Sequence, residues 1–97
     1  DAGAEEEAVR ARRRTLDLLD ELRERGEHYI ADEHAETLVM VDIARRAGEF
    51  GRADHLLDGL AAVDDPRFSA LVAFQRKRVA EHDTGRYTIA EASGAGL

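Results

Sequence analysis

The stretch Gly48-Glu49-Phe50-Gly51-Arg52-Ala53 decides the fold of this chain, because it joins two segments that both have helical periodicity. A glycine that ends one helix, an aromatic residue soon after it and a small residue where the next helix must approach closely predict a tight antiparallel helix pair. Downstream, apolar residues recur at the spacing i, i+3, i+4, i+7 and i+8, which indicates one buried helical face. They are Ala53, Leu56, Leu57, Leu60 and Ala61.

Apolar periodicity and end signals predict four helices in the chain. We expect Gly26 to end the first helix, and we expect the second to be the most buried, because positions 38–44 are apolar almost all round. Asp65 is a natural N-cap, and Pro66 fits the first helical position, where its missing N–H costs nothing. Gly85 is the predicted stop of the fourth helix. The predicted helices cover residues 4–25, 27–47, 51–63 and 66–83.

The length of 97 residues predicts one domain over residues 1–97. Within it, we expect residues 1–14 to be a charged, exposed start to the first helix and residues 93–97 to be a flexible tail. Residues 86–92 could add one or two further helical turns. A short strand over residues 38–43 is the competing prediction for the second helix, because that stretch contains β-branched residues.

The charge balance is acidic, with 21 Asp and Glu against 14 Lys and Arg and a formal net charge of −7. Nucleic acids and anionic lipids carry the same sign, so this balance opposes nonspecific binding to either. No apolar run approaches the ~20 residues that cross a membrane, and no signal-peptide pattern is present. We therefore expect a cytoplasmic protein. The absence of cysteine excludes disulfides and thiolate metal ligands.

The turn region combines Gly48, the aromatic Phe50, the small Ala53 and the pair Asp65-Pro66. With these residues, the stretch 34–66 resembles a tetratricopeptide repeat, a helix–turn–helix unit of about 34 residues. The pattern Gly-x-aromatic-x-x-Ala returns in part over residues 85–90. The resemblance implies an array of helical hairpins.

The first helix of this unit departs from the family pattern. Thr37 and Val41 stand where the family has a large aromatic residue and a glycine. A turn glycine and a small contact residue are also what any antiparallel helix pair requires. A generic array of helical hairpins therefore remains an alternative to a tetratricopeptide relation. With either interpretation the predicted fold is all-α, a four-helix antiparallel array of helical hairpins.

The sequence lacks the patterns that would indicate an enzyme. Its four histidines form no His-Glu-x-x-His or Glu-x-x-His string, and Ser69 lies in no Gly-x-Ser-x-Gly turn. Glu24, His28 and Asp32 share a predicted helical face and could bind a divalent cation, although a solvated acidic face explains them as well. We predict no catalytic residue, no metal ligand and no cofactor. A small helical enzyme that binds a metal or a ligand is therefore the least favoured of three functional hypotheses.

The favoured function is a non-catalytic protein–protein interaction module, with self-association as one form of it. An array of two hairpins leaves its end faces incompletely covered, and such arrays need about three repeats or caps. A second copy or a partner protein would supply the cover. The helices carry more apolar surface than one packed face requires, and ordinary core packing is the competing explanation for each candidate. The candidate interface residues are Leu16, Leu19, Leu38, Met40 and Phe74.

A second hypothesis concerns the end of the sequence. From Thr88 onward the chain resembles the opening of a DNA-binding helix-turn-helix, with Ile89-Ala90 in the first helix and Gly94 at the turn. The preceding helices would then be the dimerisation or sensing part of a DNA-binding regulator. A basic recognition helix after Leu97 would favour this alternative.

Overall fold

The computed structural model describes residues 2–88 and Glu91, with Ala2 described by its backbone alone. This part of the chain forms four α-helices and contains no strand. The all-α prediction is confirmed. The competing strand over residues 38–43 is wrong, since that whole stretch lies inside the second helix. The helices are α1 (Ala2–Glu24), α2 (Glu33–Arg46), α3 (Phe50–Asp58) and α4 (Pro66–Ala80).

Glycines end α1 and α2 in the same way. Gly26 and Gly48 have φ angles of +76° and +77°, in the left-handed region that favours glycine. In each case the next amide donates back to a carbonyl of the last turn, at 2.8 Å from Glu27 N to Leu22 O and at 2.8 Å from Glu49 N to Ala44 O. These are Schellman motifs, and they supply partners for carbonyls that the helix leaves unpaired. The predicted chain reversal at Gly48 is confirmed.

The start of α2 differs from its prediction. Asp32 accepts hydrogen bonds from the amides of His34 and Ala35 at 2.9 and 3.2 Å and is the N-cap of the helix. The helix therefore begins at Glu33 rather than at residue 27, and residues 27–32 form a loop. A side chain that caps the backbone competes with helix continuation, which sequence periodicity alone does not reveal.

The later helices are shorter than predicted. α3 ends at Asp58 rather than at residue 63. α4 begins as predicted, since Pro66 is its first residue and Asp65 accepts from the amide of Arg67 at 3.0 Å. It ends at Ala80 rather than at residue 83, because His82 takes the left-handed conformation (φ +53°) before the predicted stop at Gly85 is reached. Few non-glycine residues adopt this conformation, so the stop carried no clear sequence signal.

α2 lies at the centre of the fold and packs against α1, α3 and α4. α2 and α4 run parallel: the His34 and Phe68 rings lie 6.2 Å apart at their starts, and Arg45 contacts Gln75 further along both helices. α3 packs against both of them. No helix in the described part of the chain is both long and apolar enough to cross a membrane. The buried core contains Leu16, Leu19, Met40, Val41, Ala44, Ala53, Leu57, Leu60, Val72 and Val79.

Candidate binding groove

A groove runs between the parallel helices α2 and α4. It encloses about 380 Å³, a volume in the range of sites that bind ligands or anchor side chains. On α2, the groove residues Ala35, Val39 and Asp42 lie by helical period opposite the side that carries Met40 and Ala44 into the core. The groove is an apolar surface on the outer side of α2, and its residues Leu38 and Phe68 also pack against the core. Its lining residues are Ala35, Leu38, Val39, Asp42, Phe68, Leu71, Gln75, Tyr87 and Thr88.

The buried side chain of Arg45 lies behind one end of the groove and contacts residues that line it. The Arg45 side chain is 0% exposed, although it carries a positive charge. Its Nε donates to Gln75 Oε1 at 2.8 Å and its Nη2 to Asp42 Oδ1 at 2.9 Å. Its Nη1 donates to the carbonyl oxygen of Asp83. Burying a charge costs less when it is paired and hydrogen-bonded, and each of the three side-chain nitrogens of Arg45 donates to a partner.

The segment after α4 closes this end of the groove. Tyr87 packs edge-on against Phe74 with ring centroids 5.1 Å apart, and the Arg78 guanidinium lies 5.0 Å from the Tyr87 ring centroid. The Tyr87 hydroxyl donates to Asp83 Oδ2, and the Gly85 amide donates to Asp83 Oδ1 at 2.7 Å. These two hydrogen bonds lower the pKa of Asp83, and the bond to Asp83 raises the pKa of Tyr87. The end wall is therefore held by specific contacts.

Thr88, the last wall residue, exchanges hydrogen bonds with Glu91. The Glu91 amide donates to Thr88 Oγ1 at 3.1 Å, and the Thr88 amide donates to Glu91 Oε1 at 3.2 Å. This reciprocal pair is a capping box, the pattern with which helices begin. The predicted helix-turn-helix and the flexible tail over 93–97 otherwise fall outside the described residues, as does the Ala90 position of the partial repeat.

A second polar cluster lies at the other end of α2. The Glu36 carboxylate is 1% exposed and accepts from Arg23 Nε at 2.8 Å and from the amides of Tyr29 and Ile30 at 2.8 and 3.1 Å. His28 Nδ1 lies 3.1 Å from the same carboxylate. Burial alone would raise the pKa of Glu36, but these contacts outweigh burial, and its pKa is lowered to about 2. Glu36 thereby fixes the loop that joins α1 to α2.

The predicted interface residues fall into two groups. Leu16 and Met40 are 0% exposed and Leu19 is 7% exposed, so all three are buried in the core of this chain. Core packing accounts for the apolar surface that the sequence assigned to an interface at these positions. Leu38 and Phe74 are half-buried. Leu38 lines the groove, and Phe74 supports the Tyr87 ring of its end wall.

Three features of α2 were not predicted from the sequence. Val39, on the exposed side of α2, is 37% exposed and was grouped with the central buried stretch. No role was predicted for Arg45 or Glu36. The available signal was a charged residue four positions from a core residue, as Arg45 is from Val41 and Glu36 is from Met40. Such a residue must find a buried partner.

The histidine, acidic and basic side chains outside the groove form no further candidate site in the described residues. Among residues 2–88 and Glu91, no group of three or more acidic or histidine side chains is placed to hold a metal ion. His28 contacts Glu36 instead of forming the cation site considered with Glu24 and Asp32. Arg76 of α4 pairs with Asp54 and Asp58 of α3.

Comparisons with protein-family models, with curated proteins and with solved structures gave no significant match for this chain. The groove is therefore interpreted from its own geometry and chemistry.

Proposed function

We propose that this chain is a non-catalytic protein–protein interaction module that binds a segment of a partner in the groove between α2 and α4. The groove is the observation that carries the proposal: it is apolar, its lining residue Val39 is exposed, and its end wall is fixed by the Arg45 and Tyr87 contacts. A preformed site with fixed walls binds with a smaller ordering cost than one that must assemble. A cytoplasmic location and a relation to tetratricopeptide repeats are parts of the same proposal.

A helix suits the groove better than a globular surface does. α3 already packs against both α2 and α4, so this parallel pair accepts a helix between its members. Grooves between helices commonly receive one apolar face of an amphipathic helix. The proposed partner segment is therefore an amphipathic helix, from another protein or from a second copy of this chain.

Selection from a displayed library of helical peptides tests the proposal directly. The best selected peptides are synthesised with a fluorophore, and their affinity is measured by anisotropy against the wild-type chain and two matched variants. Val39→Asp places a carboxylate in the groove, whereas Leu18→Asp places one on α1 at a residue that is 60% exposed and outside the groove. We expect Val39→Asp to weaken binding at least about tenfold, since it puts an unpaired charge in an apolar contact.

The control variant decides the interpretation. Leu18→Asp should bind the peptides as the wild type does, and both variants should keep the wild-type circular dichroism and unfolding midpoint. Failure to select any peptide, or selected peptides that bind Val39→Asp as well as wild type, would overturn the proposal. Light scattering across concentration adds the oligomeric state, and self-association lost in Val39→Asp alone would identify a second copy as the partner.

The capping box at Thr88 and Glu91 favours one alternative function. Such a pair is typical of a helix start, and it lies where the predicted helix-turn-helix begins; the chain would then dimerise or sense within a DNA-binding regulator. The net charge of −7 opposes DNA binding by the chain as it stands. Salt-dependent binding to duplex DNA by this chain would favour the alternative over the interaction module.

A further inference from the structure

The groove has two unlike ends, and this asymmetry bears on the chemistry of its occupant. At one end stands the wall formed by Tyr87 and Thr88. At the other, the parallel helices α2 and α4 both begin, and the rings of His34 and Phe68 show that these starts are adjacent. A bound segment that continues beyond Ala35 and Phe68 would pass these helix starts, which we call the open end because no residue of the Tyr87–Thr88 wall lies there.

The open end carries mostly negative side chains. Asp32 and Glu33 begin α2, Asp64 and Asp65 precede α4, and all four are exposed. Arg67 is the exposed cation closest in sequence to them. Two helix N-termini add roughly half a positive charge each, which leaves the carboxylates in excess. Every one of these residues lies within about a turn of the groove residues Ala35 and Phe68.

A carboxylate also borders the groove interior. The Asp42 side chain is 33% exposed, and its Oδ1 already accepts from Arg45 and Gln75. Its Oδ2 lies 3.7 Å from Arg46, a longer and weaker contact. Among the polar groups that line the groove, Asp42 Oδ2 is therefore an acceptor that suits a donor or a cation.

We propose that the partner segment is a basic amphipathic helix, whose apolar face fills the groove and whose Lys or Arg side chains lie at the acidic open end. This inference rests on the proposed function and specifies the chemistry of its partner. The excess of carboxylates at the rim raises affinity for a cationic segment and repels an anionic one. The net charge of −7 acts in the same direction over longer distances.

Three synthetic peptides test the inference. They share one Leu-rich helical face, and their polar faces carry Lys, Gln or Glu. At low ionic strength we expect the Lys peptide to bind at least about tenfold more tightly than the Glu peptide, with the Gln peptide between them. The Lys preference should shrink as salt is added, because the rim charges are exposed and screened.

Two variants, each with three carboxylates neutralised and so with equal net charge, show which carboxylates produce the preference for the Lys peptide. The rim variant combines Glu33→Gln, Asp64→Asn and Asp65→Asn, and asparagine keeps the N-cap function of Asp65. The matched control combines Glu5→Gln, Glu6→Gln and Glu7→Gln on the exposed start of α1. We expect the rim variant to lose most of the Lys preference and the control variant to retain it.

The outcomes separate this inference from the proposed function. Equal binding of the three peptides, each sensitive to Val39→Asp, would overturn the basic-helix inference while the interaction module stands. Equal loss of preference in the rim and control variants would also overturn it, since net charge would then suffice. If no peptide binds the groove, the proposed function fails first. A Lys peptide that binds only after residues 89–97 are removed would show that the chain's own end is the occupant, and this too would overturn the inference.

Discussion

The two ends of α2 hold buried charges of opposite sign, and they serve different parts of the molecule. Glu36 near the start is 1% exposed, and Arg45 near the end is 0% exposed. Glu36 draws its hydrogen bonds from Arg23 of α1 and from the α1–α2 loop. Arg45 gives its hydrogen bonds to two groove residues and to the carbonyl of Asp83. At both ends a buried charge requires hydrogen-bonding partners, but these partners belong to different parts of the molecule.

This difference assigns a separate role to each charge. The contacts of Glu36 hold a loop whose residues do not line the groove. The contacts of Arg45 fix Asp42 and Gln75, which line the groove, and hold the segment that carries Tyr87. A buried charge is weak evidence of stabilisation in itself. Its partners show what it organises, and only Arg45 organises the proposed site.

Removing either buried charge is expected to give the largest change in the free energy of unfolding. Glu36→Ala leaves two amides and a guanidinium without their acceptor, and Arg45→Met leaves Gln75 and the Asp83 carbonyl without their donor. Each substitution should lower the free energy of unfolding by about 3 kcal/mol, the usual cost of breaking a buried charged pair. Urea denaturation followed by circular dichroism measures both values.

Peptide affinity then separates the two variants. At a temperature where both remain folded, we expect Arg45→Met to bind the selected groove peptides about tenfold more weakly, because the end wall loses its anchor. Glu36→Ala should bind them as the wild type does. Equal losses of affinity would mean that the groove depends on global stability, and the contrast between the two ends of α2 would fail.

Acid should weaken the Glu36 end selectively. The folded-state pKa of Glu36 is lowered from its ordinary value of 4.5 to about 2. Its contribution to stability is therefore complete above about pH 4.5 and is lost as the pH falls toward 2, because the unfolded chain takes up the proton first. Glu36→Gln should flatten the fall in urea midpoint between pH 5 and pH 3. Glu21→Gln, at an exposed position of α1, should keep the wild-type slope.

Sequence patterns predicted those parts of the fold that depend on neighbouring residues. The reversal at Gly48 and the start of α4 at Asp65-Pro66 follow from local backbone chemistry, and both are present. Local signals also misplaced the start of α2, because an N-cap at Asp32 overrode the continuing periodicity.

The candidate site depends on contacts that sequence spacing does not show. Arg45 meets Gln75 across 30 positions and Asp83 across 38 positions. Neither pair forms a recognisable motif, and the sequence does not distinguish a buried arginine from one on the surface of the helix. The interface candidates Leu38 and Phe74 adjoin the groove, whereas Leu16, Leu19 and Met40 have the same residue character and are buried. Residue type cannot distinguish a core face from an exposed groove when the helix is apolar on both sides.

Tyr87→Phe is expected to change global stability least, and it tests most specifically how the end wall of the groove beside Arg45 is held. The ring should keep its contacts with Phe74 and Arg78, while the hydrogen bond to Asp83 is lost. Global stability should change little, because the hydroxyl is a single group on a half-buried side chain. Amide hydrogen exchange in residues 83–88 should accelerate about threefold through local opening.

The α1–α2 loop supplies the internal control for that measurement. Residues 27–32 are held by Glu36, whose contacts do not involve Tyr87, so their exchange rates should not change. Acceleration in both segments would show that they open together and that α2 couples its two ends. Acceleration confined to residues 83–88 would mean that the end wall of the groove opens on its own. A partner could then be released without any loosening of the α1–α2 loop, because the two segments share no hydrogen bond that must break.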